Sequence, residues 1–343
     1  MNIGIYGAGA VGCYLGGRLA AQYYPVTFLT RSSSLQVLST HGLTVSDFHE
    51  YHSYISPDAL SLTQQVADIA LCDVILICVK SADTEQVAYE LKPFLADRQP
   101  VIISFQNGVS NTAVLRSILT DQDILEGMVP FNIAEISPGH YHQGSDGTLM
   151  VKRFKGGEAL GVAFQRSGLK LEYRDDMPQV QWAKILLNLN NAINALSYLP
   201  LMQQLSNRTY RKCLAMAQRE ALQILAIANI EPAKLTPLPA AYIPQVLSLP
   251  NTLFKLLSGK MLAIDPLARS SMQDDLRAGK ITEIDWINGE VVRLAQQHGR
   301  SAPVNAELLR LVKQAEQQEK IKPLSAEELW DKLCHLHNPV EKA

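Results

Sequence analysis

One lysine and several asparagines stand among leucines and isoleucines in WAKILLNLNNAINALS, residues 182–197. In a helix with about 100° per residue, Asn188 and Asn191 lie roughly 40° and 20° from Lys184, on either side of it. An ammonium group beside amides can protonate a developing alkoxide and hold polar groups of a small substrate. Lys184, Asn188 and Asn191 are therefore candidate site residues, although for a lysine taken alone the default interpretation is a surface side chain with its stem along apolar neighbours.

The other asparagines of this stretch have a different interpretation. Asn194 lies about 80° from Lys184 in the same projection. We interpret Asn190 and Asn194 as helix-interior amides satisfied by water or neighbouring backbone.

A second polar cluster follows in ARSSMQDDLRAGKITEIDWING, residues 268–289, which has the pattern of a helix–turn–helix stretch. Asp274, Arg277 and Lys280 are typical of a solvated helix face. Glu283 stands between apolar residues, where a carboxylate needs a partner to offset its desolvation. Glu283 is therefore a candidate site residue.

The sequence GAGAVG lies between a short β run and a helix-period segment, which is the context of a dinucleotide-binding turn. The first glycine permits the tight turn, the second lets the backbone approach a pyrophosphate, and the third permits close helix–strand packing. The helix N-terminus offers free N–H groups to anionic oxygens. The predicted cofactor contacts in this turn are Gly7, Ala8, Gly9, Ala10, Val11 and Gly12.

The second strand ends in FLTRSSS, without the carboxylate that usually binds the ribose of NAD. Arg31 can present its guanidinium to a 2′-phosphate, and Ser32 and Ser33 can add hydroxyl donors. This pattern favours NADP(H), whereas Arg31 as an ordinary surface charge would leave the cofactor open. Lys80 and Asn107 end two further apolar strands and are candidates to contact the cofactor or substrate, because ligands bind at the carboxyl ends of such strands.

The elements that position these residues indicate an α/β plus all-α protein. Alternating strands and helices predict a Rossmann-type, doubly wound parallel sheet in residues 1–174, with β-like pieces in 125–173 completing the sheet. Residues 175–343 are predicted to form a helical domain. Its helix-period segments span about 179–198, 208–229, 267–297 and 304–319, and the proline-rich segment 231–251 is interpreted as a connector.

The composition of the 343 residues is that of a globular protein, and the formal charge of −2 gives no general reason to expect a nucleic acid or membrane partner. Five scattered cysteines favour reduced thiols over disulfides. With no targeting leader or membrane-spanning run apparent, we expect a cytoplasmic location. His140 and His142 have no companion ligand cluster, so no metal site is predicted.

The motifs GAGAVG, VKSADT, QNGV, WAKILLN and SSMQDDLRAGKITEIDWINGEVV, followed by HGRSAPVN, occur in an order and at spacings that resemble the ketopantoate reductase family. No single motif carries the resemblance, which covers nearly the whole chain. It implies NADPH-dependent reduction of 2-dehydropantoate to pantoate, with a small 2-keto acid held between a Rossmann domain and a helical domain.

The resemblance also implies roles for individual residues. Lys184 matches the family's catalytic lysine, and Glu283 matches its active-site glutamate. The other matched positions are Ser271 and Asn188 for the substrate and Lys80 and Asn107 at the strand ends, with Asn191 as a substitute for a further family asparagine.

Three alternatives stay open at this point. The chain has Ala192 and Ile193 where the family often has asparagine and proline, so the substrate is 2-dehydropantoate or another 2-keto acid. A non-catalytic NADP-binding sensor of the same fold is the third alternative, although the presence of both Lys184 and Glu283 argues against it.

Two further properties also stay open. Burial would lower the pKa of Lys184 and a nearby carboxylate would raise it, so the net direction of the pKa shift is open. Length and composition are compatible with a monomer and with a homodimer.

Overall fold

The computed structural model describes residues 1–257 and 268–336. The chain divides into two compact units, Met1–Met177 and Pro178–Ala343. All strands of the described residues lie in the first unit, and helices dominate the described part of the second. The predicted α/β plus all-α fold class is confirmed.

The first unit combines twelve strands with six helices. Its strands are β1 (Ile3–Tyr6), β2 (Val26–Leu29), β3 (Leu43–Asp47), β4 (His52–Ile55), β5 (Ser61–Thr63), β6 (Val74–Ile77), β7 (Val101–Ser104), β8 (Ile124–Met128), β9 (Ile133–Ser137), β10 (His140–Gln143), β11 (Leu149–Lys152) and β12 (Leu171–Arg174). Its helices are α1 (Ala10–Ala20), α2 (Ser32–His41), α3 (Val66–Ala70), α4 (Thr84–Leu91), α5 (Asn111–Ile118) and α6 (Glu158–Arg166).

The main sheet has eight strands in the order β12-β11-β8-β7-β6-β1-β2-β5. Neighbouring strands are parallel except for the antiparallel pair β8 and β11. The continuous apolar sequence of strand β6 is explained by burial of both of its faces. Val74 and Leu76 belong to one hydrophobic core, while Ile75 and Ile77 belong to another. Helices cover both faces of a parallel sheet, so both faces of this strand must be apolar.

A second sheet has the order β4-β3-β10-β9. The prediction that the β-like pieces of 125–173 complete the main sheet is correct for β8, β11 and β12 and wrong for β9 and β10. Strand β10 pairs in parallel with β3, a partner almost a hundred residues away in sequence, and local periodicity carries no signal for such a pairing. Helix α1 packs closely against this sheet, because a Cβ atom at Gly17 would lie 2.7 Å from Val45 Cγ1.

The helices that follow are α7 (Met177–Asn188), α8 (Asn190–Ser197), α9 (Leu201–Ser206), α10 (Arg208–Ile227), α11 (Ile243–Leu247), α12 (Asn251–Leu257), α13 (Ser271–Arg277), α14 (Asn288–Gln297), α15 (Pro303–Glu316) and α16 (Ala326–Cys334). Short 3₁₀ helices occur at Ala240–Tyr242 and Ile284–Trp286. The long helix α10 packs against α9, α11, α14, α15 and α16. Helix α10 is therefore the central element of this unit.

The helix-period segment 267–297, whose first residue lies outside the described ranges, contains two α-helices with a turn between them, as its interpretation as a helix–turn–helix stretch predicts. Gly279 adopts φ +62° beyond the end of α13. The segment 231–251 is more than a connector, since it contains α11, which packs against α10.

No helix in residues 1–257 and 268–336 combines the length and the apolar character needed to cross a membrane. All five cysteines are free thiols.

Candidate functional site

The glycine turn joins β1 to α1 with the backbone that its sequence requires. Gly7 has φ +107°, a conformation that residues with a side chain rarely adopt. The N–H of Ala8 donates to the carbonyl of Leu29, 3.2 Å away, which ties the turn to the end of β2. A Cβ atom at Gly12 would collide with the carbonyl oxygen of Gly7, so only glycine fits there.

The same turn has the features needed for a bound pyrophosphate. Among residues 1–257 and 268–336, a Cβ atom built on Gly9 would meet no atom within 4 Å, so this part of the structure leaves space beside the backbone of Gly9. No N-cap side chain satisfies the first turn of α1 in the part of the chain that the structure describes, so the N–H groups of this turn, including those of Ala10 and Val11, can donate to a ligand. These observations fit a dinucleotide whose phosphates lie at the helix N-terminus.

Arg31 precedes α2, directly after β2, and its side chain is 75% exposed. Its Nη2 atom lies 2.6 Å from Asp83 Oδ2, which belongs to the 3₁₀ helix Ser81–Asp83 after β6. Asp83 lies in the motif VKSADT, but it is not among the candidate site residues that the sequence pattern indicates. The available signal was an acidic residue, Asp83, close to the end of β6. Its partner Arg31 follows a different strand, β2, so the sequence does not show that the two side chains meet.

Buried polar side chains hold the ends of β6 and β7 together, next to Lys80 and Asn107. The Ser81 hydroxyl donates to the Asn107 carbonyl at 2.7 Å, and the Asn111 amide donates to the same carbonyl at 2.6 Å. The Asn111 amide also contacts Ser81 Oγ at 3.2 Å. The structure therefore brings the loops that carry Lys80 and Asn107 together.

Thr84 extends this network into the core. Its hydroxyl lies 2.8 Å from the Ser81 carbonyl and 2.9 Å from Asn111 Oδ1, and it accepts from the Gln106 amide at 2.8 Å. Sequence reasoning missed Ser81, Thr84, Gln106 and Asn111 as supports of the two loops. Because buried hydrogen-bonded networks favour a single geometry, these residues fix the backbone from which Lys80 and Asn107 extend.

In the second unit, exposure along α7 and α8 follows the helical spacing of the predicted site. Lys184, Leu187, Asn188 and Asn191 are half-buried, and the residues between them are buried. The two helices are separated at Leu189, but this residue keeps a helical backbone, and its N–H donates to the carbonyl four residues earlier at 2.9 Å. One open face therefore carries the lysine and two amides.

Desolvation lowers the pKa of Lys184 from its ordinary 10.5 to about 8. This resolves the direction that the sequence left open. A lysine with such a pKa holds its proton near neutral pH and releases it more readily than an exposed lysine. Such behaviour suits a proton donor.

Asn190 and Asn194 have structural partners. The side-chain amides of Asn190 and Gln204 bond to each other reciprocally, at 3.1 and 3.2 Å. Asn194 is fully buried, donates to the Leu199 carbonyl at 2.9 Å and accepts from the Ser270 N–H at 3.0 Å. Side-chain and backbone groups therefore occupy both amides, in agreement with their predicted structural role.

Ser271 is the first residue of α13 and is exposed. Its neighbour Ser270 caps the helix, accepting from the Gln273 N–H at 3.2 Å, and its hydroxyl lies 3.4 Å from the Asn191 carbonyl. Since α13 also packs against α8, the structure brings Ser271 close to the backbone of Asn191. This cap was not among the predicted features, although a serine directly before a helix is a signal for one.

Glu283 is half-buried in the turn between α13 and the 3₁₀ helix Ile284–Trp286. Its carbonyl accepts from the Trp286 N–H at 3.0 Å, and the preceding Thr282 N–H donates to Glu316 at 2.8 Å. The turn is therefore anchored on both sides of Glu283. The position of Glu283 after the first helix agrees with the helix–turn–helix interpretation of this stretch.

The sequence matches two models of one protein family. The model described as Ketopantoate reductase PanE/ApbA matches residues 3–156, and that of the C-terminal part of the same family matches residues 176–316. The 2-dehydropantoate 2-reductase of Archaeoglobus fulgidus is 28% identical over 323 residues, which cover 92% of this chain and 98% of that protein.

Solved structures show the same relationship. A PanE/ApbA family ketopantoate reductase from Ralstonia eutropha JMP134 has a TM-score of 0.78 at 28% identity, covering 92% of this chain and 98% of that one. D-mandelate dehydrogenase, solved with NADH and anilino(oxo)acetate, has a TM-score of 0.74 at 20% identity with the same coverage and shares the fold. The two family models together match most of the sequence, and the chain belongs to the ketopantoate reductase family of oxidoreductases.

Proposed function

We propose that this chain catalyses the NADPH-dependent reduction of 2-dehydropantoate to pantoate, with Lys184 as the proton donor. The observation that carries the proposal is the lysine itself. In a chain of the ketopantoate reductase family, it shares the open face of α7 and α8 with two amides, and desolvation lowers its pKa to about 8.

The first unit is proposed to bind the cofactor. The turn Gly7–Gly12 would hold the pyrophosphate at the N-terminus of α1, and Arg31 would contact the 2′-phosphate. Lys80 and Asn107 would complete the site from the adjoining strand ends. Bound NADPH supplies the hydride that reduces the ketone carbon.

The second unit is proposed to complete the reaction. As the ketone becomes an alkoxide, the ammonium of Lys184 stabilises the developing negative charge and transfers a proton to the oxygen. Asn188 and Asn191 hold polar groups of the substrate, and Ser271 donates to its carboxylate. Glu283 is proposed as the second catalytic residue, through its interaction with the substrate or with Lys184.

The substrate assignment rests on the family and on relatives named 2-dehydropantoate 2-reductase. The alternative substrate is a different 2-keto acid. The residue at position 192 is the reason to retain this alternative. The Ala192 side chain is a buried methyl group without a donor or acceptor, so it cannot form the hydrogen bonds of the asparagine that the family often has one turn after Asn188. Asn191 is the amide left on that side of the open face.

The substrate is tested by following oxidation of NADPH with a panel of 2-keto acids, and with NADH in parallel. We expect the highest kcat/KM for 2-dehydropantoate with NADPH. A higher value for another 2-keto acid would support the alternative. Tight NADPH binding without turnover of any keto acid would contradict the enzymatic proposal and favour a sensor.

The pH dependence tests the proton donor. The free enzyme must carry a protonated Lys184, and its pKa is lowered to about 8. We therefore expect kcat/KM to be constant below this pH and to fall above it by about tenfold per pH unit, as the lysine loses its proton.

Lys184→Arg provides the matched control. Arginine stays protonated throughout the accessible range, so the residual activity of this variant should lack the alkaline decline. A decline that persists in Lys184→Arg would assign it to another group. NADPH binding, measured over the same pH range, separates loss of cofactor from loss of the proton donor.

A further inference from the structure

The ion pair between Arg31 and Asp83 joins the ends of two strands that are not neighbours. Arg31 follows β2 and Asp83 follows β6, and β1 lies between these strands in the sheet. The pair therefore spans the carboxyl end of β1, where the glycine turn begins. This is the part of a doubly wound sheet that receives the adenosine half of a dinucleotide.

The neighbouring carboxylate is engaged elsewhere. Glu90 on α4 accepts a hydrogen bond from the hydroxyl of Tyr6, at the end of β1, and another from the Gln86 amide at 2.7 Å. Asp83 is only 30% exposed, whereas Arg31 is 75% exposed. The carboxylate is therefore the more enclosed partner, and the guanidinium is the one more open to solvent and to a ligand.

We propose that Asp83 is a specificity-determining residue, whose carboxylate pairs with Arg31 and weakens the preference for a 2′-phosphorylated dinucleotide over the unphosphorylated form. This inference rests on the proposed function, in which Arg31 contacts the 2′-phosphate. It assigns a role to a residue of the opposite loop. Proteins of this fold usually select NAD through an acidic residue at the end of β2, which this chain lacks. Asp83 lies instead in the loop after β6.

The charges give the direction of the effect. If Arg31 had no acidic partner, an approaching 2′-phosphate would be attracted by one positive charge. With Asp83 paired to Arg31, the net charge of the pair is zero, and the carboxylate repels the phosphate. The phosphate must share or displace the bond between Asp83 and Arg31. An unphosphorylated ribose carries no such charge and is indifferent to Asp83. Exposed ion pairs contribute little to folding, so neutralising Asp83 should leave the fold intact.

The test is calorimetric titration of the full-length chain with NADP⁺ and with NAD⁺. Asp83→Asn keeps the size of the side chain and removes its charge. We expect it to tighten NADP⁺ binding by about three- to tenfold and to leave NAD⁺ binding within about twofold. The gain should decrease at high salt, because screening weakens interactions between exposed charges.

Glu85→Gln is the matched control, since it removes one exposed negative charge from the first turn of α4. A similar gain in that variant would show a general charge effect and overturn the proposal. Unchanged or weaker NADP⁺ binding by Asp83→Asn would also overturn it, the latter by showing that Asp83 positions Arg31. A wild-type chain that binds NADP⁺ no more tightly than NAD⁺ would instead contradict the proposed cofactor. The same titration with 2′,5′-ADP confines the comparison to the adenosine half.

Discussion

Replacement of Lys184 by alanine is expected to lower kcat by about 10²- to 10⁴-fold, the range that a positioned proton donor contributes. The reason is that no other group is proposed to deliver a proton to the alkoxide. NADPH binding is expected to stay within about threefold, because Lys184 is not among the proposed cofactor contacts. Single-turnover kinetics with the cofactor at saturation would measure the chemical step directly.

Two further measurements separate loss of the proton donor from loss of structure. Exogenous methylamine should restore part of the activity of Lys184→Ala, because a small amine can enter the space that the side chain leaves. Lys184→Gln retains a polar side chain without a transferable proton and should be as impaired as the alanine variant. If Lys184→Ala kept its kcat within about tenfold for every competent keto acid, the general-acid role would be excluded.

Glu283→Gln examines the second proposed catalytic residue in the same assay. A carboxylate that acts on the substrate or on Lys184 changes kcat, KM or the pH profile when it becomes an amide. Unaltered values of all three would remove Glu283 from the site.

The parts of the fold that could be predicted from sequence are those with a local signal. The buried strand β6 reads as a continuous apolar run, and the Gly7–Gly12 turn shows its glycines at fixed spacing between a strand and a helix. The open face around Lys184 follows directly from helical periodicity. In each case the residues that determine the structure lie within one or two turns or within a single strand.

The missed features depend on pairs that are distant in sequence. The pairing of β3 with β10 and the contact of Arg31 with Asp83 join segments that no local pattern connects. The burial of Lys184 likewise could not be predicted from the sequence, because the desolvation that lowers its pKa comes from residues that surround it only in the folded chain. Strand pairing, ion pairs between distant residues and desolvation all depend on segments that only the folded structure brings together.

Arg211 is another residue whose role depends on distant segments. It is fully buried on α10 and is among the largest buried side chains. Its guanidinium stacks on the ring of Phe254, 3.9 Å from the centroid. Desolvation and the nearby Arg208 lower its pKa. Its acceptors are the carbonyls of Leu205, Ser206, Leu247 and Leu249 and the side chain of Asn251, at 2.9 to 3.2 Å.

Arg211→Ala is expected to lower the free energy of unfolding by about 3–5 kcal/mol, because it leaves buried carbonyls without donors and opens a cavity. All three tryptophans, Trp182, Trp286 and Trp330, lie in the same unit as Arg211, so tryptophan fluorescence in a urea titration reports its unfolding.

Two variants separate hydrogen bonding from packing at this position. Arg211→Met restores most of the apolar volume but supplies no donor, so it should remain nearly as unstable as the alanine variant. Arg208 lies one turn earlier on the same helix, is exposed and donates to the Ser248 carbonyl at 3.1 Å. Arg208→Ala should therefore change stability by no more than about 0.5 kcal/mol. If Arg211→Met were as stable as the wild type, the guanidinium hydrogen bonds would contribute nothing net to stability, and the packing of the side chain would account for the whole effect of Arg211→Ala.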